Sequence, residues 1–145
     1  ITQILIGSYL HDIGKVFLDK EITQGNLPLT QNQRIEIENH TLLGHDYLKN
    51  VSGLSKAKDI ILLHHEKLNG TGYPNGLHGS EIPIHVRIVS ICDSYDAMTT
   101  SRPYRPYAFT HEEALIELKK NKNTQFDAEL VDVFISEFSN NDSKN

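Results

Sequence analysis

Cysteine and tryptophan are nearly missing from these 145 residues, with Cys92 as the one cysteine and no tryptophan at all. A lone thiol cannot close an internal disulfide, so stability must come from a packed core, which a chain of this length can supply as one domain. Cationic excess is missing too. Fourteen Lys/Arg stand against nineteen Asp/Glu, a formal charge of −5, whereas general DNA or RNA binding needs a clustered basic face to displace counterions. No apolar run approaches the roughly 20 residues of a membrane span, so no membrane contact is expected of this segment, and no signal-peptide pattern opens the chain. The first residue is Ile1, inside an apolar stretch, and the chain reads as a fragment. Histidine, by contrast, is plentiful at eight copies.

Helical patterning dominates. Apolar residues at 1, 4, 5, 9 and 10 predict a helix packed on one side over residues 1–10. Residues 13–29 read as loop, loosened at Gly14. Thr30 followed by Gln33 forms a capping box that starts a helix running to about residue 50. A third helix is expected over 55–66, with Ala57, Ile60, Ile61 and His64 on one side. The segment 69–76, with three glycines and Pro74, requires a structured loop. Pro83 suits the first position of a fourth helix over 83–100. Thr110 with Glu113 caps a fifth, and Asp127 caps a last one ending near residue 138, before a polar tail over 139–145 expected to fray. No alternating apolar run demands a sheet, and the fold class is all-α.

Four groups of residues carry chemistry: His11-Asp12, His40, His64-His65 and Asp93. Imidazole and carboxylate without thiolate suit a borderline divalent metal such as Fe, Mn, Zn or Ni. Four imidazoles and two carboxylates exceed one tetrahedral site but suffice for two ions if one carboxylate bridges, and a close metal pair is a standard device for phosphoryl transfer. Neighbours on a helix point about 100° apart, so each doublet can grip a compact pair of ions from one stretch of backbone. Asp93 lies amid Ile88, Val89, Ile91, Cys92 and Tyr95, and a carboxylate on an apolar face needs either a metal or a cation such as Arg87.

The motifs His11-Asp12-Ile13-Gly14-Lys15, His64-His65-Glu66, Asn69-Gly70-Thr71-Gly72-Tyr73-Pro74, Asp93 with Asp96-Ala97, and Arg102-Pro103-Tyr104-Arg105 follow one another in order over residues 9–134. Together they resemble the HD-GYP phosphodiesterases, a bacterial branch of the HD metal-dependent phosphohydrolases. The resemblance implies an HD-domain helical bundle over residues 1–138 lacking its first helices. It implies two or three divalent transition-metal ions, most often iron or manganese, and hydrolysis of cyclic di-GMP to pGpG and onward to GMP. By similarity, His11, Asp12 and Asp93 hold one metal and His40, His64 and His65 the other, with Asp12 bridging. Lys15 sits beside the scissile phosphate with Asp12 as the second catalytic group, and Tyr73, Arg102 and Arg105 contact the dinucleotide. The planar guanidinium fork matches a phosphate, and Tyr offers a flat face with a hydroxyl. Asn69 departs from the pattern, since many family members have Asp there. The resemblance also implies a bacterial cytoplasmic setting, an upstream sensory or receiver domain outside this chain, and diguanylate cyclase domains as candidate partners.

Two other readings stand beside hydrolysis of cyclic di-GMP. One is an HD phosphohydrolase for another cyclic dinucleotide. The other is a non-catalytic signalling module that binds a cyclic dinucleotide or a diguanylate cyclase domain; retention of all six expected ligands weighs against it. His45, His78, His85 and His111 read as structural, and Glu66, Asp96 and Arg87 as groups that orient the ligands.

Overall fold

Eight α-helices and two short 3-10 turns, with no strand, make up the described residues (1–25, 28–101 and 107–142) of a computed structural model of the chain. In order they are α1 (Thr2–Leu10), a 3-10 turn (Ile13–Phe17), α2 (Lys20–Gln24), α3 (Gln31–Glu38), α4 (His40–Tyr47), α5 (Ser55–Leu63), a second 3-10 turn (Gly79–Glu81), α6 (Ile84–Thr99), α7 (His111–Lys120) and α8 (Ala128–Asp142). The all-α expectation holds. Helix starts follow their sequence signals. Thr30 and Gln33 form the capping box that opens α3, and Thr110 with Glu113 does the same for α7. The Asp127 carboxylate accepts the N–H groups of Glu129 and Leu130 at the start of α8.

α5 is the central element and packs against α1, α4 and α6. Its Ala57, Ile60, Ile61 and Leu63 are buried, and Ile60 and Leu63 join Ile82, Val86 and Val89 in one core cluster. A second cluster, of Ile91, Leu118, Phe126 and Val131, ties α6 to α7 and α8. α6 therefore joins both clusters by its two halves, and Asp93 lies just beyond the changeover.

Five expectations change, one of them the end of α5, which stops at Leu63 rather than residue 66. The helix expected over 30–50 is two helices, broken at Asn39, whose N–H reaches back to the carbonyls of Glu36 and Ile37. An unbroken helix would give the Ile37 carbonyl to the N–H of residue 41; here the imidazole of His40 takes it at 2.6 Å. The stretch read as loop over 13–29 holds a 3-10 turn and α2, capped by the Asp19 carboxylate on the N–H of Glu21. Pro83 is the cap before α6 rather than its first residue. α8 continues to Asp142, beyond the end expected near 138.

Candidate metal centre

Three of the expected ligands bond to carbonyls in the last turn of a helix, which have no partner in the helix itself. His11 follows α1, and its Nδ1–H donates to the Ser8 carbonyl at 2.6 Å. His40, the first residue of α4, donates likewise to Ile37 in the last turn of α3. His64 follows α5, and its Nδ1 lies 3.0 Å from the Ile60 carbonyl and 3.2 Å from that of Ile61. A carbonyl only accepts, so each bond puts the proton on Nδ1 and turns the Nε2 lone pair of a neutral ring inward. His11-Asp12 thus follows the helix expected over 1–10, while His64-His65 lies past the end of α5 rather than within a helix over 55–66 as expected. At His11 and His64 the helix dipoles reinforce the choice, because a C-terminus carries partial negative charge and favours a cation.

Asp12 stands between two sets of nitrogens. Its Oδ1 lies 3.2 Å from Nε2 of His40 and 3.9 Å from Nε2 of His64. Its Oδ2 lies 3.4 Å from Nε2 of His11 and accepts from the Lys15 ammonium at 2.6 Å. Asp93 Oδ1 faces the same His11 nitrogen at 3.5 Å. Asp12, His40, His64 and His65 each offer a donor atom within 4.8 Å of the others. Donors around one ion at bonds of about 2.1 Å are at most about 4.2 Å apart, so only a small convergence separates this set from a ligating shell.

Two features fit a cation and are hard to explain without one. Oδ1 of Asp12 is buried with no hydrogen-bond partner, an arrangement that costs free energy unless something positive meets it. The Nε2 atoms of His40 and His64 lie 3.4 Å apart, and with their Nδ1 protons committed to carbonyls, neutral rings would set two lone pairs against each other. The N/O donor set, without sulfur, matches Fe, Mn, Zn or Ni.

Electrostatics sort the side chains. For His11, burial alone would lower the proton affinity, but the carboxylates of Asp12 and Asp93 outweigh it and raise the imidazole to about 10. Burial opposes ionisation of Asp12 as well, yet His11, His40 and Lys15 hold it below the usual carboxylate range. Asp93 is likewise lowered, against burial, chiefly by His11. Burial and then the charges of His11 and His40 push His64 down to about 4, and burial with His64 and His40 pushes His65 down to about 3. His64 and His65 therefore keep their lone pairs at neutral pH. The Tyr73 hydroxyl is pushed up, first by burial and then by the negative charges of Glu38, Asp12 and Asp93, and stays protonated as a donor.

The glycine-rich loop folds back onto the second doublet. Tyr73 lies nearly parallel to His65, with ring centroids 4.7 Å apart and planes at 29°, and its N–H donates to the His65 carbonyl. Gly72 is required by close approach: a Cβ there would fall within 2.5 Å of backbone atoms of His65, Glu66 and Lys67. Asn69, at the departure from the family pattern, accepts from the N–H and the hydroxyl of Thr71 and so shapes the loop from within.

The structure thus brings together His11, Asp12, Lys15, His40, His64, His65, Tyr73 and Asp93. Arg102 and Arg105 lie outside the described residues. Three expected orienting groups turn elsewhere. Arg87 is not the partner of Asp93; it pairs with Asp127 across 40 residues of chain, and Asp93 faces His11 instead. Asp96 is exposed and accepts from the Thr100 hydroxyl. Glu66 accepts the N–H groups of Asn75 and Leu77 rather than orienting a ligand. Sequence reading missed Ser90, whose hydroxyl donates to the His64 carbonyl at 2.7 Å. Its signal was a polar residue on a buried face, one turn before Asp93. His85 and His111 are structural as expected, bound to Asp59 and to the Tyr95 hydroxyl.

Residues 2–130 match the model of the HD domain family. A probable cyclic di-GMP phosphodiesterase of Vibrio cholerae is 37% identical over 139 residues, covering 90% of this chain and 31% of that protein. A 3'3'-cGAMP-specific phosphodiesterase 2 of the same organism is 35% identical over 130 residues, covering 88% of this chain and 25% of that protein. The chain spans about a third or less of the length of these relatives. In fold it is similar to the crystal structure of a cyclic GMP-AMP specific phosphodiesterase of V. cholerae, with a TM-score of 0.68 at 20% identity over 95% of this chain and 38% of that one.

Proposed function

Because the chain belongs to the HD domain family, we propose that it is the metal-dependent catalytic part of a bacterial phosphodiesterase that opens cyclic di-GMP to pGpG and carries it on to GMP. The observation that carries this reading is the split of Asp12, one oxygen facing His40 and His64 and the other at His11 and Lys15. That split suits a carboxylate shared by two cations. His11, Asp12 and Asp93 would hold one and His40, His64 and His65 the other, with iron or manganese the metals best suited to the set. Bound there, the ions would supply Lewis-acid polarisation of the phosphoryl group and a water nucleophilic near neutral pH.

The chain's own groups do the rest. Lys15, 2.6 Å from Asp12, presents an ammonium to the phosphoryl oxygens as charge builds on them. The Nδ1 bonds to Ser8, Ile37 and Ile60 hold the imidazoles in one tautomer throughout. Tyr73, fixed on His65, offers a face for a base and a protonated hydroxyl for a phosphate, and Arg102 and Arg105 clamp the phosphates of the dinucleotide. Water adds across one P–O3' bond of the ring, leaving a 5'-phosphate and a 3'-hydroxyl.

The relative named for 3'3'-cGAMP favours a second substrate, since the same groups meet either cyclic dinucleotide without choosing between guanine and adenine. The test is to incubate the full-length parent, loaded with Mn or Fe(II), with each dinucleotide and identify the products. Linear pGpG and then GMP from cyclic di-GMP support the proposal. Turnover of 3'3'-cGAMP alone transfers it to the second substrate, and no product from either ends it.

A further inference from the structure

The loop that presents Tyr73 is pinned on two sides. At its outer side the Leu68 N–H donates to the Gln125 carbonyl at 3.3 Å and the Asn69 N–H to the Thr124 carbonyl at 2.9 Å, both in the connection between α7 and α8. The Gly79 N–H returns to the Leu68 carbonyl at 3.0 Å and closes the base of the loop. On the inner side a single side chain does the pinning. Glu66 is 3% exposed, its Oε1 accepts the Asn75 N–H at 2.7 Å, and its Oε2 accepts the Leu77 N–H at 2.9 Å. Tyr73 lies between these anchors and the His65 carbonyl that receives its own N–H.

Position 66 requires a carboxylate for this. Each N–H meets its own carboxylate oxygen, and Glu supplies both. Gln has the same shape but sets an NH2 against one of the two donors, which leaves a part-buried N–H facing another donor. Glu66 is thus joined to the metal-centre residue His65 through the chain and to the far limb of the loop through hydrogen bonds, and Tyr73 is caught between.

We propose that Glu66 is a positioning residue for the dinucleotide: by holding the N–H groups of Asn75 and Leu77 it fixes the loop on which Tyr73 rests, and so sets substrate affinity without entering the metal centre. This rests on the reading of Tyr73 as a substrate contact. The test is Glu66→Gln in the metal-loaded parent, read by steady-state kinetics on cyclic di-GMP, by metal analysis and by amide hydrogen exchange. KM should rise about fivefold, the low end of what an unpaired donor costs when it is only part-buried, with kcat within about twofold and metal content unchanged. Exchange should quicken over residues 70–79 and nowhere else. Unchanged KM, or kcat and metal content falling together, overturns the proposal, as does exchange that rises throughout the chain. In the wild-type protein the Asn75 and Leu77 amides should be protected, and fast exchange of both overturns the proposal without any variant. If the parent cleaves no cyclic dinucleotide, the functional reading fails while the exchange arms still decide whether Glu66 holds the loop.

Discussion

A Cβ added at Gly14 would lie 1.8 Å from the carbonyl oxygen of His40. The 3-10 turn after His11-Asp12 therefore rests directly on the start of α4, and the segment that carries Asp12 touches the segment that carries the buried imidazole of His40, 1% exposed. The glycine is what lets Asp12 Oδ1 come within 3.2 Å of His40.

Gly14→Ala should therefore separate the two halves of the site. The obstacle is backbone, which cannot swing aside, so the cost is that of overpacking, about 1–3 kcal/mol. Thermal unfolding should show a Tm lowered by several degrees, and metal analysis a reduced load. Wild-type stability with a full load would mean that the close approach is unimportant.

Asp12→Asn keeps the shape and removes the charge. Loss of groups that merely orient ligands costs about 10–100-fold in affinity or activity, so, on the proposed reading of Asp12 as a shared ligand, its loss should cost more than about a hundredfold in activity and at least one ion per chain. Elemental analysis beside kinetics checks both halves of that expectation.

Metal removal should lower stability. A cation that binds only the folded chain contributes about 2.7 kcal/mol at a concentration a hundred times its dissociation constant. Titrating Mn(II) into chelator-treated protein should raise Tm step by step in the wild type and by clearly less in His64→Ala, which keeps only the His11, Asp12 and Asp93 set. Equal rises in both would place the binding elsewhere.

Arg102→Ala should raise KM for cyclic di-GMP and leave metal content alone. A bidentate guanidinium on phosphate is among the stronger hydrogen-bonded pairs, of the order of 2 kcal/mol, or about thirtyfold. An unchanged KM would remove Arg102 from the substrate site.

Arg87→Met probes a correction to the sequence reading. Its pair with Asp127 joins α6 to the start of α8, so the variant should lose stability, of the order of 1–3 kcal/mol, yet keep its metals. Loss of metal at unchanged stability would restore Arg87 to the neighbourhood of Asp93.

Most of the site was legible because its chemistry is written in residue types. Four imidazoles and two carboxylates without thiolate name a class of ion before any fold is known, and the glycines around Tyr73 announce a loop that must pass close to something. The fold class followed from apolar spacing and from Thr30, Thr110 and Asp127 as caps. Illegible were features decided by tertiary partners. The break at Asn39 depends on the His40 ring taking the Ile37 carbonyl, a competition that helical periodicity does not encode. Glu66 looked like a helper of its neighbour His65, but its hydrogen bonds go to backbone nine and eleven residues ahead. Arg87 looked close enough to serve Asp93, and only the return of the chain at Asp127 shows where its charge is spent.

The central claim is that Asp12 is shared by two cations. Anomalous diffraction from Mn(II)-loaded crystals of the parent tests it most directly. The account predicts two peaks about 3.5–4 Å apart, with Asp12 between them, one also against His11 and Asp93 and the other against His40, His64 and His65. A single peak, or a pair that leaves Asp12 outside, would contradict it.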